Sequence, residues 1–93
     1  MIVPIVYTLE VCPNCMKLKE ALTKAGIEYD ERDMQSAESI TEMRINGCFA
    51  MEAPVLQIGE RFAESSVIFE QGTVDLQYVR KMIDDEENSY RWN

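Results

Sequence analysis

Hydrophobic positions along this chain alternate between short dense runs and helical stripes. Ile2, Val3, Ile5, Val6 and Tyr7 form a β-rich apolar run, short enough for a strand buried on both faces. Pro4 lies near its start, where a missing N–H is best tolerated. After Val11 the period changes. Cys15, Leu18, Leu22 and Ala25 recur at steps of three, four and three, which is one apolar stripe of a helix with Ala21 beside it. Lys17, Glu20 and Lys24 take the other side. Pro13 suits the first helical position, and Gly26 suits a left-handed cap at the far end.

Ile27 to Met34 reads as a second strand, less hydrophobic and so placed near a sheet edge. Ser39-Ile40-Thr41-Glu42 has the capping-box pattern, although Ser36 is also a start for this second helix. Ile40 and Met43 would face the core, and the helix should stop by Gly47. Pro54 to Ile58 is a third strand, followed by a turn at Gly59-Glu60. Arg61 to about Ser65, or on to Phe69, returns as a fourth strand in a hairpin. Gly72 breaks the chain and Thr73 caps a last helix, with Leu76, Val79 and Ile83 as its buried stripe and Tyr78 and Met82 alongside. Asp84, Asp85, Glu86 and Glu87 then place negative charge at a helix C-terminus, the unfavourable end of the dipole. Fraying is expected there.

A strand–helix–strand unit crosses over to a parallel neighbour, whereas a tight hairpin makes an antiparallel pair. The element order therefore predicts an α/β fold: one mixed four-stranded sheet with three helices on its two faces. With 93 residues there is room for one core and no second domain. The expected division is a domain over residues 1–87 and a flexible C-terminal tail over 88–93.

Charge narrows the partners. Nine Lys and Arg against 17 Asp and Glu give a net charge of -8, which repels phosphate backbones and anionic membranes. Neither nucleic acid nor membrane is an expected partner, and solubility or a basic partner protein accounts for the acidity. The opening apolar run is too short for a signal segment or a membrane span, and no basic region precedes it. A cytoplasmic location and a monomeric state are the expectations.

Three cysteines and no histidine leave few kinds of chemistry. An odd cysteine count in a chain without an export signal argues against a structural disulfide framework. Without histidine, the usual triads are gone. What remains is Cys12-Pro13-Asn14-Cys15, set where a buried strand gives way to a helix. There the first thiol meets the positive end of the helix dipole and free N–H groups that stabilise a thiolate. The second thiol lies one turn further in, on the core-facing stripe. Pro13 fixes the backbone between them. Glu10, a loop residue, would oppose the acidity of Cys12 electrostatically. The same spacing occurs in zinc sites, but only Cys48 and carboxylates are left to complete four ligands, so no metal site is assigned. Cys48, after Gly47, reads as a buried free thiol more readily than as a third redox group, and Tyr7 and Phe49 read as core.

The stretch Val6-Tyr7-Thr8-Leu9-Glu10-Val11-Cys12-Pro13-Asn14-Cys15 resembles the active-site segment of glutaredoxins and of the related redoxins that reduce ribonucleotide reductase. Met51-Glu52-Ala53-Pro54-Val55-Leu56 is similar to that family's second landmark, a proline opening the third strand. The likeness in element order spans roughly residues 1 to 83. It implies a thioredoxin-like fold, a cis Pro54 packed beside the disulfide, and main-chain groups of Ala53 offered to an extended substrate. Pro13 and Pro54 would support the active site, and Ala53, Val55 and Leu9 would bind substrate. Two positions depart from the family. Leu9 stands where a basic residue often holds glutathione, and Glu64-Ser65 stand where a Gly-Gly turn cradles its γ-glutamyl end.

Together the residues and the resemblance predict a thiol–disulfide oxidoreductase. Cys12 attacks a disulfide in a protein substrate and Cys15 resolves the mixed disulfide. No tightly bound cofactor is expected. Recharging would come from a thioredoxin-reductase-like flavoprotein or from glutathione, and ribonucleotide reductase is one candidate downstream enzyme. The competing expectations are a cysteine-based metal or iron–sulfur module of the same fold and an interaction domain without catalysis.

Overall fold

Alternation along the two central strands decides the architecture. In the computed structural model, which describes residues 2–91, strands β1 (Ile5–Thr8), β2 (Asp30–Asp33), β3 (Val55–Ile58) and β4 (Arg61–Ala63) form one sheet in the order β2-β1-β3-β4. β1 runs parallel to β2 and antiparallel to β3, and β3 makes a hairpin with β4. Side chains on β1 and β3 point alternately to opposite faces. Val6, Leu56 and Ile58 share one core cluster, whereas Tyr7 and Val55 share the other.

Four helices cover these faces: α1 (Pro13–Lys24), α2 (Ala37–Ile45), α3 (Ser65–Ile68) and α4 (Leu76–Arg91). Leu18 and Leu22 of α1, Ile68 of α3, and Val79 and Met82 of α4 close over the Val6 side. Met43 of α2 closes over the Tyr7 side. Each fully buried large apolar side chain contributes about 1.5–3 kcal/mol relative to exposure, so these few positions dominate the docking. This is the thioredoxin-like α/β arrangement with a mixed four-stranded sheet, as expected, but with one more helix than the three that the sequence predicts.

The extra helix replaces strand. After Ala63 the chain does not continue along the sheet; Glu64 takes the N-cap position and α3 turns Ile68 fully into the core. A run such as Val67-Ile68-Phe69 fits a buried strand and a helical turn equally well by periodicity. Phe69–Glu70 (β5) and Thr73–Val74 (β6) then form a separate two-stranded ladder. Its turn has positive φ at both Gln71 and Gly72, the mirror-image geometry that matches strand twist. Thr73 therefore sits in a strand, and it is Asp75 that starts α4, its carboxylate accepting the Tyr78 N–H at 3.1 Å.

Two other boundaries move. Ser36, not Ser39, caps α2: its hydroxyl accepts the Ser39 N–H at 3.1 Å, and Ser39 is itself buried. Ile40 is consequently turned outward, with Met43 alone of the expected pair in the core. At the other end, α4 passes residue 87 and continues through Arg91, where the sequence places a tail from 88. Part of the acidic turn is met by cations, one within the helix and one on β4. Asp85 meets Lys81 at 3.3 Å and Arg61 at 3.9 Å, and Glu86 meets Arg61 at 3.9 Å. The Glu87 carboxylate accepts the Ile2 N–H at 3.3 Å. Residues 92 and 93, the remainder of the expected tail, lie outside the described residues.

Candidate functional site

β1 delivers the chain to the C-terminal edge of the sheet, and the next helix starts at once. Cys12 is the N-cap of α1 in an extended conformation, with Pro13 in the first turn. Its Sγ accepts the Cys15 N–H at 3.0 Å. Cysteine thus occupies the place where Ser or Asp usually satisfies an orphan helix donor. The two cysteines are joined as a disulfide with 5.2 Å between their Cα atoms, an ordinary span for such a bridge. Their environments differ. Cys12 is half-buried, whereas Cys15 is 2% exposed on the stripe it shares with Leu18 and Leu22.

Ala53-Pro54 is a cis peptide bond, and Pro54 is buried. Because Tyr7 pairs with Val55 in antiparallel register, Pro54 lies at the same sheet edge as the end of β1 and the cysteine loop. The Ser65 hydroxyl donates to the Pro54 carbonyl at 2.7 Å, which ties the start of α3 to this edge. Ala53 is half-buried. Val55 is fully buried within the Tyr7 cluster, so any contact it makes with a substrate must be through its main chain. Leu9 is half-buried and separates two clefts.

The first cleft, about 350 Å³, is polar and contains both cysteines together with Thr8, Lys19, Glu31 and Arg32. Within it the Glu31 carboxylate accepts from Lys19 at 3.0 Å and from the Thr8 hydroxyl at 2.9 Å. The Lys19 hydrogen bond, with help from Thr8, holds the Glu31 carboxyl below its usual value of 4.5. Ionised Glu31 is therefore favoured by folding. Its contribution is present above the ordinary carboxylate value and lost as pH falls through the lowered one. The pair is partly exposed, so the effect is small. Urea midpoints of Glu31→Gln and the unaltered chain should differ at neutral pH and converge between about pH 5 and 3. A gap that stays constant over that range would contradict this.

Tyr7 is core, as its strand position suggests. Burial pushes its hydroxyl pKa up, against a smaller lowering by Arg32, and the hydroxyl donates to Gln57 Oε1. Gln57 in turn donates to the Gly59 carbonyl at 2.8 Å and to Glu42 at 3.3 Å. This network is satisfied and structural. Cys48 is a buried free thiol, the commoner of its two readings. Phe49 departs from expectation: it is 70% exposed. With Ile40 and Met51 it borders the second cleft, which is apolar and about 280 Å³.

Sequence reasoning brought Cys12, Cys15, Pro13 and Pro54 to one edge but missed the Thr8–Glu31–Lys19 group and the apolar cleft. No local pattern marks either, because each joins side chains from separate elements. Among the described residues, no group of three or more His, Cys, Asp or Glu side chains is arranged to hold a metal ion. No helix among them is long and apolar enough to cross a membrane. A family model, Glutaredoxin, matches residues 5–63. No curated protein and no solved structure matches the chain.

Proposed function

The chain belongs to the glutaredoxin family, and from that premise we propose that it reduces disulfides in protein substrates through a dithiol cycle, with Cys12 as nucleophile and Cys15 as resolving thiol. The observation that carries this is the asymmetry of the pair: a half-buried Cys12 Sγ that accepts the Cys15 N–H, bonded to a Cys15 that is almost wholly enclosed. In the reduced protein the same N–H and the helix N-terminus favour a thiolate at Cys12.

The cycle balances in two exchanges. The Cys12 thiolate attacks one sulfur of the substrate disulfide, forming a mixed disulfide and expelling the other sulfur as a thiolate. The Cys15 thiolate then attacks Cys12 Sγ and expels the second substrate sulfur. Two electrons pass to the substrate, both of its thiolates take up protons, and the Cys12–Cys15 disulfide remains. Pro13 holds the pair in register, and Ala53 beside Pro54 offers main-chain groups to an extended substrate. The downstream enzyme we favour is a cytoplasmic one such as ribonucleotide reductase. A thioredoxin-reductase-like flavoprotein or glutathione recharges the disulfide, and the working unit is a monomer.

Alkylation of the reduced protein tests the division of labour. Limiting iodoacetamide should modify Cys12 well before Cys15 or Cys48, as mapped by peptide mass spectrometry. Modification of Cys15 or Cys48 first would reverse or remove the assignment.

A further inference from the structure

Among the described residues eight large apolar side chains are exposed, and they are not scattered evenly. Ile40, Phe49 and Met51 border the apolar cleft between α2 and the loop that precedes Pro54. Val11 and Met16 flank the dithiol, Met16 as part of the polar cleft. Five of the eight thus gather around the redox edge. Exposed apolar surface concentrated in this way marks a contact surface, and here it belongs to a strongly acidic chain that otherwise has charge to spare for its exterior.

The cleft has the properties of a receptor for one side chain. Its volume of about 280 Å³ is at the small end for a ligand pocket. Met34, Met43 and the Cys48 thiol are buried parts of its lining, and methionine adapts its shape to varied apolar partners. Leu9 and Gln35 line this cleft and the dithiol cleft alike, so the two lie side by side across Leu9. Arg44 is the one cation in its lining and has no ion-pair partner among the described residues.

Resting on the oxidoreductase reading, we propose that this cleft seats a large apolar side chain from the segment of the substrate protein that carries the disulfide, with a neighbouring carboxylate against Arg44. The apolar anchor orients the substrate cysteine toward Cys12 Sγ, and the carboxylate adds a local preference for Glu or Asp beside the anchor. Leu9, which stands where a cation is common in the family, forms the ridge over which such a segment passes. The substitution exchanges affinity for a small anion for affinity for an apolar chain.

Two disulfide-bridged peptides test this, one with Phe-Glu close to a cysteine and one with Ala-Gln at the same positions. Burial of the anchor should raise kcat/KM for the Phe-Glu peptide about 10–100-fold over its partner. Met51→Lys and Phe49→Lys, both at exposed positions, should bring that ratio toward one. Arg44→Glu should lower that ratio as well, and a third peptide with Phe-Gln should show that this loss lies in the carboxylate. A ratio near one in the unaltered chain, or one untouched by these substitutions, would overturn the proposal. So would sedimentation showing a dimer that Met51→Lys returns to a monomer, because a second copy would then own the cleft. Bis(2-hydroxyethyl) disulfide carries no flanking residues. If neither it nor either peptide is reduced, the oxidoreductase reading itself fails and the cleft assignment falls with it.

Discussion

Cys12→Ser should lower disulfide reduction by about 10⁴-fold or more, the scale on which removal of an essential nucleophile is felt. Serine keeps the helix cap, since its hydroxyl can accept the Cys15 N–H as the sulfur does. The loss would therefore be chemical and not structural. Cys15→Ser behaves differently. Attack by Cys12 still occurs, but no thiol one turn inward resolves the product, and a mixed disulfide with substrate accumulates. Cys15 is 2% exposed, so an external thiol reaches the intermediate chiefly from the substrate side. Equal loss in both variants without a trapped adduct would contradict separate roles for the two sulfurs.

The second large effect concerns the electron donor. A glutaredoxin grips glutathione at both ends, by cations near its glycine carboxylate and by backbone donors at its γ-glutamyl end. Here Leu9 offers an apolar ridge in place of a cation. At the other end Glu64 is exposed at the N-cap of α3 and makes no side-chain capping bond. The family resemblance puts a Gly-Gly turn at this position, and a carboxylate there would repel the anion. Each lost charge-assisted hydrogen bond is worth about 1.5–3 kcal/mol, and two such losses weaken binding by roughly 10²–10⁴-fold. Coupled NADPH assays on the oxidised protein should show efficient recharging by thioredoxin reductase and slow recharging by glutathione with glutathione reductase. Leu9→Lys combined with Glu64→Gly should restore much of the glutathione rate. Rapid recharging by millimolar glutathione, with no response to thioredoxin reductase, would return the chain to the ordinary glutathione-dependent pattern.

What was legible in the sequence follows from where the determining interactions lie. The strand–CxxC–helix unit is local: an apolar run, a proline at the first helical turn and a stripe through Cys15, Leu18 and Leu22 are all within about twenty residues. The mixed character of the sheet follows from crossover and hairpin rules that need only element order, whereas the order β2-β1-β3-β4 rests on the long-range pairing of β1 with β3. Misplaced features depend on contacts across the chain. α3 forms because Ile68 must reach the core beneath α4, which the run Val67-Ile68-Phe69 does not announce. α4 continues past four acidic residues, and Arg61 of β4 meets two of them, a contact between distant parts of the chain that no local pattern announces. Phe49 looked like core by residue type, yet it lies beyond the end of α2, where the fold leaves it at the rim of a cleft. The short choice between Ser36 and Ser39 was decided by which hydroxyl reaches an unpaired N–H in the first turn of α2, that of Ser39 itself.

The most direct test is a single turnover under stoichiometric conditions, followed by acid quenching, alkylation and peptide mapping of all three cysteines. Fully reduced protein mixed with one equivalent of a disulfide-bridged peptide should yield reduced peptide and the Cys12–Cys15 disulfide, with Cys48 left as an unoxidised thiol. In Cys15→Ser the same experiment should place the substrate adduct on Cys12. Substrate reduction accompanied by oxidation of Cys48, or an adduct on any sulfur other than Cys12, would contradict the account.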